Sequence, residues 1–564
     1  MSSSRLRWPR ANRQVLLLIL GLAVVAAGLL GAERPNEPPY FAIRGARIMP
    51  VSGPAIEEGT LVMAKGVITA VGAKVTIPPE AWVIEGKGLT VYPGLIDSLT
   101  NLGLQTEAEG RPGGAPGQGG ERRAPPSQGP QDRPATTSWE NAANQLNLED
   151  KRLESWRKAG FTSAVTSPDK GIFPGQAALI NLAGDRPNEL VVKTPVALRI
   201  NLTPLPGFWN FPDSLMGVLA YIKQLFLDAD QYTTAWTMYS ANPRGLERPN
   251  YDRTLDPIRQ AMAGRWPVLI PATWSKEILR GIKLGEDIGA NTLLYGGHQA
   301  YETAGLLAAK RVPILVSLKW PEKPTDADPE GEESLRVLRL RDRAPSTPAA
   351  LQKAGAKFAF YSDGISNPQD ILKNARKAIE AGLPADSALR AFTLSAAEIY
   401  GVADRLGSLE PGKIANLVVT DGDLFAEKTK VKMTFIDGRK YEVREPARPT
   451  EPPTVKLTGK WTLSVNTPQG PEERTADLTM AEDGTLTGTL TGRWGTLSIS
   501  NGWVSGNKFS FTITIPMGPR SVEATYSGSV EGNKMTGSVS TPMGAVEFTG
   551  TRPGEASGRA QATR

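Results

Sequence analysis

Between residues 40 and 94 apolar and polar residues alternate in short runs, FAIRGARIM, GTLVMAKGVITAVG and AWVIEGKGLTVYPG, punctuated by glycine. A two-residue period puts one side of each segment against a core, so the spacing predicts a small antiparallel sheet. From about Trp139 to Gly401 the pattern changes. Apolar runs (FTSAVTS, VALRINL, PVLIPAT, NTLLYGG, VPILVSL, KFAFYSD) alternate with amphipathic segments such as SKEILRGIKLGEDIG and AYETAGLLAAK. That alternation predicts a parallel α/β architecture, and the number of units suits a (β/α)8 barrel of the TIM type. LEPGKIANLVVTDGD and KVKMTFIDGRKYEV then return to hairpin-like strands.

The stretch from Trp461 to Arg552 holds an internal repeat. Gly506-Asn507-Lys508 and Pro516-Met517-Gly518 recur, at one common interval, as Gly532-Asn533-Lys534 and Pro542-Met543-Gly544. Turns spaced in this way between strand-like runs predict a C-terminal all-β meander domain over residues 457–552, closed as a small barrel or sandwich. Four stretches fall outside these patterns. Residues 1–14 are basic, and an uncharged apolar run from Val15 to Ala32 follows. Basic residues stay on the cytoplasmic side of a membrane, so residues 15–32 are expected to export or anchor the chain, with an uncleaved anchor favoured over a cleaved signal. The Gly, Pro, Gln and Arg of residues 105–137 predict a mobile loop. Residues 444–456 are Pro-rich and predict a linker, and residues 553–564 a disordered tail.

Composition narrows the chemistry. The 564 residues are 40% hydrophobic and 22% charged with a net charge of +6, ordinary for a large globular chain. The basic residues are spread along the chain without interleaved aromatics, so no nucleic-acid partner is expected. Cysteine is absent and His298 is the only histidine. Disulfides, thiolate metal sites and cysteine nucleophiles are thereby excluded, and a multi-histidine metal centre cannot be built. No G-x-S-x-G elbow occurs, and the Gly-rich stretch 112–120 lacks the Lys-Ser/Thr ending of a phosphate loop.

Three segments carry a family resemblance: VYPGLID (Val91 to Asp97), AFTLSAAEIYGVADRLGSLEPGKIANLVV (Ala391 to Val419), and FAFYSDG, which ends in Asp363 and Gly364. In their order along the chain they resemble the amidohydrolase superfamily, in its imidazolonepropionase-like and dihydroorotase-like branch. The resemblance implies a barrel over residues 91–406 and a small urease-like β-sandwich shared by residues 38–90 and 407–443. It also implies hydrolysis of C–N bonds with one or two zinc ions that acidify a water at the strand ends.

The ligand positions depart from the family. Its His-x-His pair falls on Leu99 and Asn101, its fifth-strand histidine on Pro271, and its sixth-strand histidine near Gly296, two residues before His298. The carbamylated lysine of some members has no counterpart. Only Asp363 keeps the residue type of a ligand, so no metal or other cofactor is expected. Asp363 is the candidate catalytic residue, read alternatively as an ion pair with Lys319 or a cap at its strand end. Asn101, Thr273, His298 and Lys319 are candidate ligand-binding residues, with Trp274, Trp320 and Trp209 as possible walls of the barrel mouth, and His298 is expected to open a helix over 299–310. The expected function is an exported, degenerate, metal-free barrel that binds a small molecule or protein partner at its mouth. The alternative is a C–N hydrolase with a site rebuilt around Asp363, Asn101, Thr273 and His298.

Overall fold

The computed structural model describes residues 40–104, 133–205, 211–323, 331–443, 451–467, 470–517, 520–541 and 544–552. The expected N-terminal segment, most of the 105–137 loop, Trp209, the first half of the linker and the tail lie outside the described residues. Among the described residues no helix is long and apolar enough to cross a membrane. Two compact units are distinguished. One gathers the described residues up to Val316 with Ser346–Phe360 and Gly382–Tyr441; the other gathers Ser317–Pro345, Tyr361–Ala381 and the described residues from Glu442 onward.

Both flanks of the barrel segment contribute to one sheet. Strands β1 (Tyr40–Ile48), β2 (Ile56–Ala64), β3 (Val67–Gly72), β4 (Trp82–Glu85) and β5 (Thr90–Pro93) come from before the barrel. The sheet runs in the order β16-β15-β14-β5-β1-β2-β3, where β14 (Leu417–Thr420), β15 (Val431–Ile436) and β16 (Arg439–Glu442) return from beyond it. It is mixed rather than antiparallel throughout, because β4 and β5 both run parallel to β1. Its apolar face buries Ile43, Leu61, Val91, Leu417 and Phe435.

The eight barrel strands are β6 (Leu95–Thr100), β7 (Phe161–Thr166), β8 (Gly175–Asn181), β9 (Val191–Arg199), β10 (Val268–Ala272), β11 (Thr292–Gly296), β12 (Ile314–Ser317) and β13 (Phe358–Tyr361). They form one nearly closed sheet in sequence order. The amides of Ile314 and Leu318 donate to the carbonyls of Lys357 and Tyr361 with one constant offset, as parallel pairing requires. The sheet departs from an all-parallel barrel at β8, which runs antiparallel to both β7 and β9. The link over 167–174 is too short for the crossover that a parallel neighbour needs, so the chain turns back instead.

Two motif residues fasten sheet to barrel. Asn416 is buried and its side chain is fully used: Nδ2 donates to Asn181 Oδ1 at 2.7 Å and Ser163 Oγ at 3.0 Å, and Oδ1 accepts the Asp437 amide at 2.8 Å. Its carbonyl accepts the amide of Gly94. A Cβ at Gly94 would stand 2.0 Å from Thr162 Oγ1, so only glycine lets the chain pass from β5 into β6 here.

The second unit contains a closed eight-stranded barrel in which each strand pairs antiparallel with the next. Its strands are β17 (Gly459–Thr467), β18 (Gly470–Met480), β19 (Thr485–Gly492), β20 (Gly495–Ser505), β21 (Lys508–Met517), β22 (Arg520–Glu531), β23 (Lys534–Thr541) and β24 (Gly544–Thr551). The first repeated tripeptide makes the β20–β21 turn and its copy the β22–β23 turn. β24 pairs back on β17, which removes both sheet edges. The last part of the expected linker runs along this barrel, where the Thr454 amide donates to Gly506 O at 2.9 Å.

Burial pushes the hydroxyls of Tyr92, Tyr221, Tyr400 and Tyr526 above the ordinary phenol range, and the charge of Asp97 adds to the effect at Tyr400. Folded phenols then keep a proton that the unfolded chain releases. Stability is therefore intact below about pH 10 and falls as pH rises beyond it. Urea midpoints are expected to drop steeply between about pH 10 and pH 11.5. A flat profile would show that these hydroxyls ionise in the folded chain as freely as in the unfolded one.

Candidate functional site

In a barrel of this kind function collects where strands end and loops begin, at the C-terminal face. β6 delivers four consecutive residues there. Asp97 is buried and accepts a bond from Trp156 Nε1 at 3.2 Å. The Ser98 carbonyl accepts the Tyr400 hydroxyl at 2.6 Å. Leu99, where the resemblance places a histidine, is 3% exposed and part of the apolar core. The Thr100 carbonyl binds the Ser167 amide.

Asn101 follows and is held from two sides. Arg152 donates to its Oδ1 at 2.8 Å and to its carbonyl at 3.1 Å, and its Nδ2 donates to Asp169 Oδ2 at 3.3 Å. Arg152 is itself fixed by Asp150, at 2.7 Å. The oxygen that a metal would need is thus already accepting a charge-assisted bond.

At the end of β9 stands Arg199, whose Nη1 donates to Pro168 O at 3.3 Å and whose guanidinium lies 5.3 Å from the Tyr295 ring centre. The Tyr295 hydroxyl donates to Asn201 Oδ1 at 3.0 Å, while Asn201 Nδ2 binds the carbonyls of Asp169 and Gly171. Arg152, Asp169, Arg199, Asn201 and Tyr295 therefore form a polar shell that sequence reasoning did not single out. Part of the signal was position: Arg199 and Asn201 lie within VALRINL and Tyr295 within NTLLYGG, at or beside the ends of β9 and β11.

β10 ends at Ala272. The amides of Thr273 and Trp274 both donate to Glu277 Oε2, at 2.9 and 3.1 Å, which starts the helix Ser275–Ile288. An acidic side chain reaching back to these amides neutralises the positive helix end. Pro271 is half-buried within β10 and offers no donor atom to a metal. At the end of β11, Gly296 has φ +117°, and a Cβ there would sit 2.8 Å from Thr273 Oγ1 and 3.1 Å from Ala272 O. The backbone at the sixth-strand ligand position is thus shaped for glycine.

His298 is 8% exposed, and its carbonyl accepts from Thr347 Oγ1 at 2.9 Å. The expected helix 299–310 is divided into a short 3-10 turn, Ala300–Glu302, and the helix Ala304–Lys310, with Thr303 between them. In the second unit Asp363 is exposed and adopts φ +52°. Its Oδ2 accepts from Ser317 Oγ at 2.8 Å, and Ser317 Oγ in turn accepts from the Lys319 amide at 3.1 Å. Lys319 reaches Asp363 through its backbone and the serine, not as the expected ion pair of side chains. Trp320 is buried and donates to Asn374 O at 2.9 Å, so it packs rather than lines an opening.

The zinc that the resemblance implies does not fit these residues. Among the described residues no three His, Asp or Glu side chains come close enough to share an ion. The positions in question are a core leucine, an asparagine engaged by arginine, a proline and a glycine with no room for a side chain.

The sequence model of the amidohydrolase family matches residues 316–441. The chain is 35% identical over 318 residues to adenine deaminase 1 of Desulfotalea psychrophila, covering 52% of this chain and 48% of that protein. It is 33% identical over 131 residues to the adenine deaminase of Methanococcoides burtonii, covering 20% and 22%. Its fold is similar to a solved amidohydrolase from Thermotoga maritima, with a TM-score of 0.58 and 23% identity over 72% of this chain and all of that one. These comparisons support a likeness to the amidohydrolase superfamily, carried by the family-model match over residues 316–441 and by the two adenine deaminases. It spans about half the length of the first of these curated relatives and about a fifth of the second.

Proposed function

We propose that this chain is an amidohydrolase barrel that no longer hydrolyses and instead binds a small polar ligand or a protein partner at its mouth. It works outside the cytoplasmic membrane, held there by the segment from Val15 to Ala32. One observation carries the reading: no position that the resemblance gives to a metal histidine holds one, and at three of the four the surroundings have closed around the residue that stands there. Leu99 is core, Asn101 is bridged by Arg152 and Asp169, and Gly296 has no space for a Cβ. A catalytic metal site needs about three protein ligands, and a lone carboxylate leaves a water near its bulk acidity. The polar shell around Arg199, Asn201 and Tyr295 offers donors and acceptors to a ligand without any metal.

The names of the relatives favour one second reading, hydrolysis of a C–N bond such as the deamination of adenine, at a site rebuilt around Asp363. Asp363→Ala separates the two. On the binding reading the purified full chain releases no ammonia from adenine above the buffer blank, and the variant behaves alike. The substitution then costs only stability, roughly 0.5–1.5 kcal/mol, from the lost Ser317 bond and the poorer fit of alanine to a left-handed backbone. Asp363→Asn, which suits that backbone, should cost less. Ammonia release that vanishes with Asp363→Ala and survives in the parent would establish the hydrolase instead.

A further inference from the structure

The C-terminal barrel carries a groove that its fold alone does not require. Gly528 and Gly537 face each other across β22 and β23. A Cβ on Gly528 would stand 2.1 Å from Thr536 O, and one on Gly537 2.1 Å from Ser527 O, so the strands approach too closely for any side chain. The register extends this pair to Phe509 on one side and Phe548 on the other. Both phenylalanines point into the core, where their rings meet edge-on at 6.3 Å. Glycines at inward positions let the sheet draw in and hollow its outer face. A groove of about 620 Å³ lies there.

Two cross-strand rows of polar side chains flank the glycine pair. Ser529, Thr536 and Thr549 are register partners on one side; Ser527, Ser538 and Glu547 are register partners on the other. Along β22 and β23 these residues alternate with the buried Tyr526, Val530, Met535 and Val539, so they face outward. Trp503 of β20 is half-buried, stands outside the core cluster and closes one end. Lys508 and Glu547 also line the groove, and their charges offset each other.

Hydroxyl-rich outer faces are ordinary on β-strands, and Thr487 and Thr491 of β19 carry one as well. What sets this face apart is the hollow between its two rows and the indole at its end. We propose that the groove binds a neutral glycan chain. Hydroxyls that both donate and accept match sugar hydroxyls, an indole face matches the apolar C–H face of a pyranose, and the balanced charge selects against anionic and cationic ligands.

The test is calorimetric titration of the full chain with chitohexaose, cellohexaose and laminarihexaose as probes. Binding of at least one is expected, weakened tenfold or more by Trp503→Ala. The surface pair Ser527→Ala with Ser538→Ala is expected to weaken it too without changing the melting temperature, which guards against a tryptophan variant that fails to fold. Absence of binding to all three glycans, or binding that the serine pair and Trp503→Ala leave intact, would overturn the proposal.

Discussion

A chain carrying Gly296→His is expected to lose roughly 2–6 kcal/mol of stability and to gain no zinc. Two costs add. The φ of +117° belongs to a region that side chains with a Cβ enter at roughly 1–3 kcal/mol. The new Cβ would also press on Thr273 Oγ1 at 2.8 Å and on the Ala272 carbonyl at 3.1 Å, and overpacking of this kind costs a further 1–3 kcal/mol or so. A backbone shift that would relieve the crowding is opposed, since the Thr273 amide is tied to Glu277 and its carbonyl to the Gln299 amide. Urea unfolding and metal analysis of the variant check both parts. A variant as stable as its parent, with zinc bound, would mean that the strand end has kept the shape of a ligand site.

The second large effect lies in the C-terminal barrel. Trp461 is fully buried, its Nε1 donates to Leu457 O at 2.9 Å, and the Arg552 guanidinium lies 4.8 Å from its ring centre. Trp461→Ala removes the largest side chain of that core and leaves a cavity between strands that a closed barrel cannot bring together. The expected loss is roughly 3–5 kcal/mol. For a domain near 100 residues each kcal/mol moves a melting transition by about 4–8 °C, so this module should melt well over 10 °C lower. A shift of a degree or two would show that the barrel collapses around the gap or that its core is filled from elsewhere.

What could be read in the sequence is what local sterics and periodicity dictate. VYPGLID announced the passage into the barrel because Gly94 has no alternative beside Thr162, and IANLVV announced the return because Asn416 satisfies three partners at once. The tripeptide repeat located two turns of the C-terminal barrel. The direction of β8 was not legible. All seven of its residues, GQAALIN, are buried, and a strand covered on both faces reads alike in either direction. The fixed state of Asn101 was hidden for a different reason: Arg152 and Asp169 are distant in sequence, and nothing near Asn101 indicates them. The same holds for Asp363, where a serine rather than the lysine beyond it supplies the side-chain partner.

The central claim is that the histidine ligands at the strand ends have been replaced, and metal content tests it most directly. The full chain would be purified without chelators and without a histidine tag, equilibrated in zinc-containing buffer, freed of loose ions and analysed for bound metal. Fewer than about 0.1 zinc per chain is expected, because a site short of about three ligands does not hold the ion through the wash. A value near one or two per chain would contradict the account and place a rebuilt hydrolytic centre in the barrel.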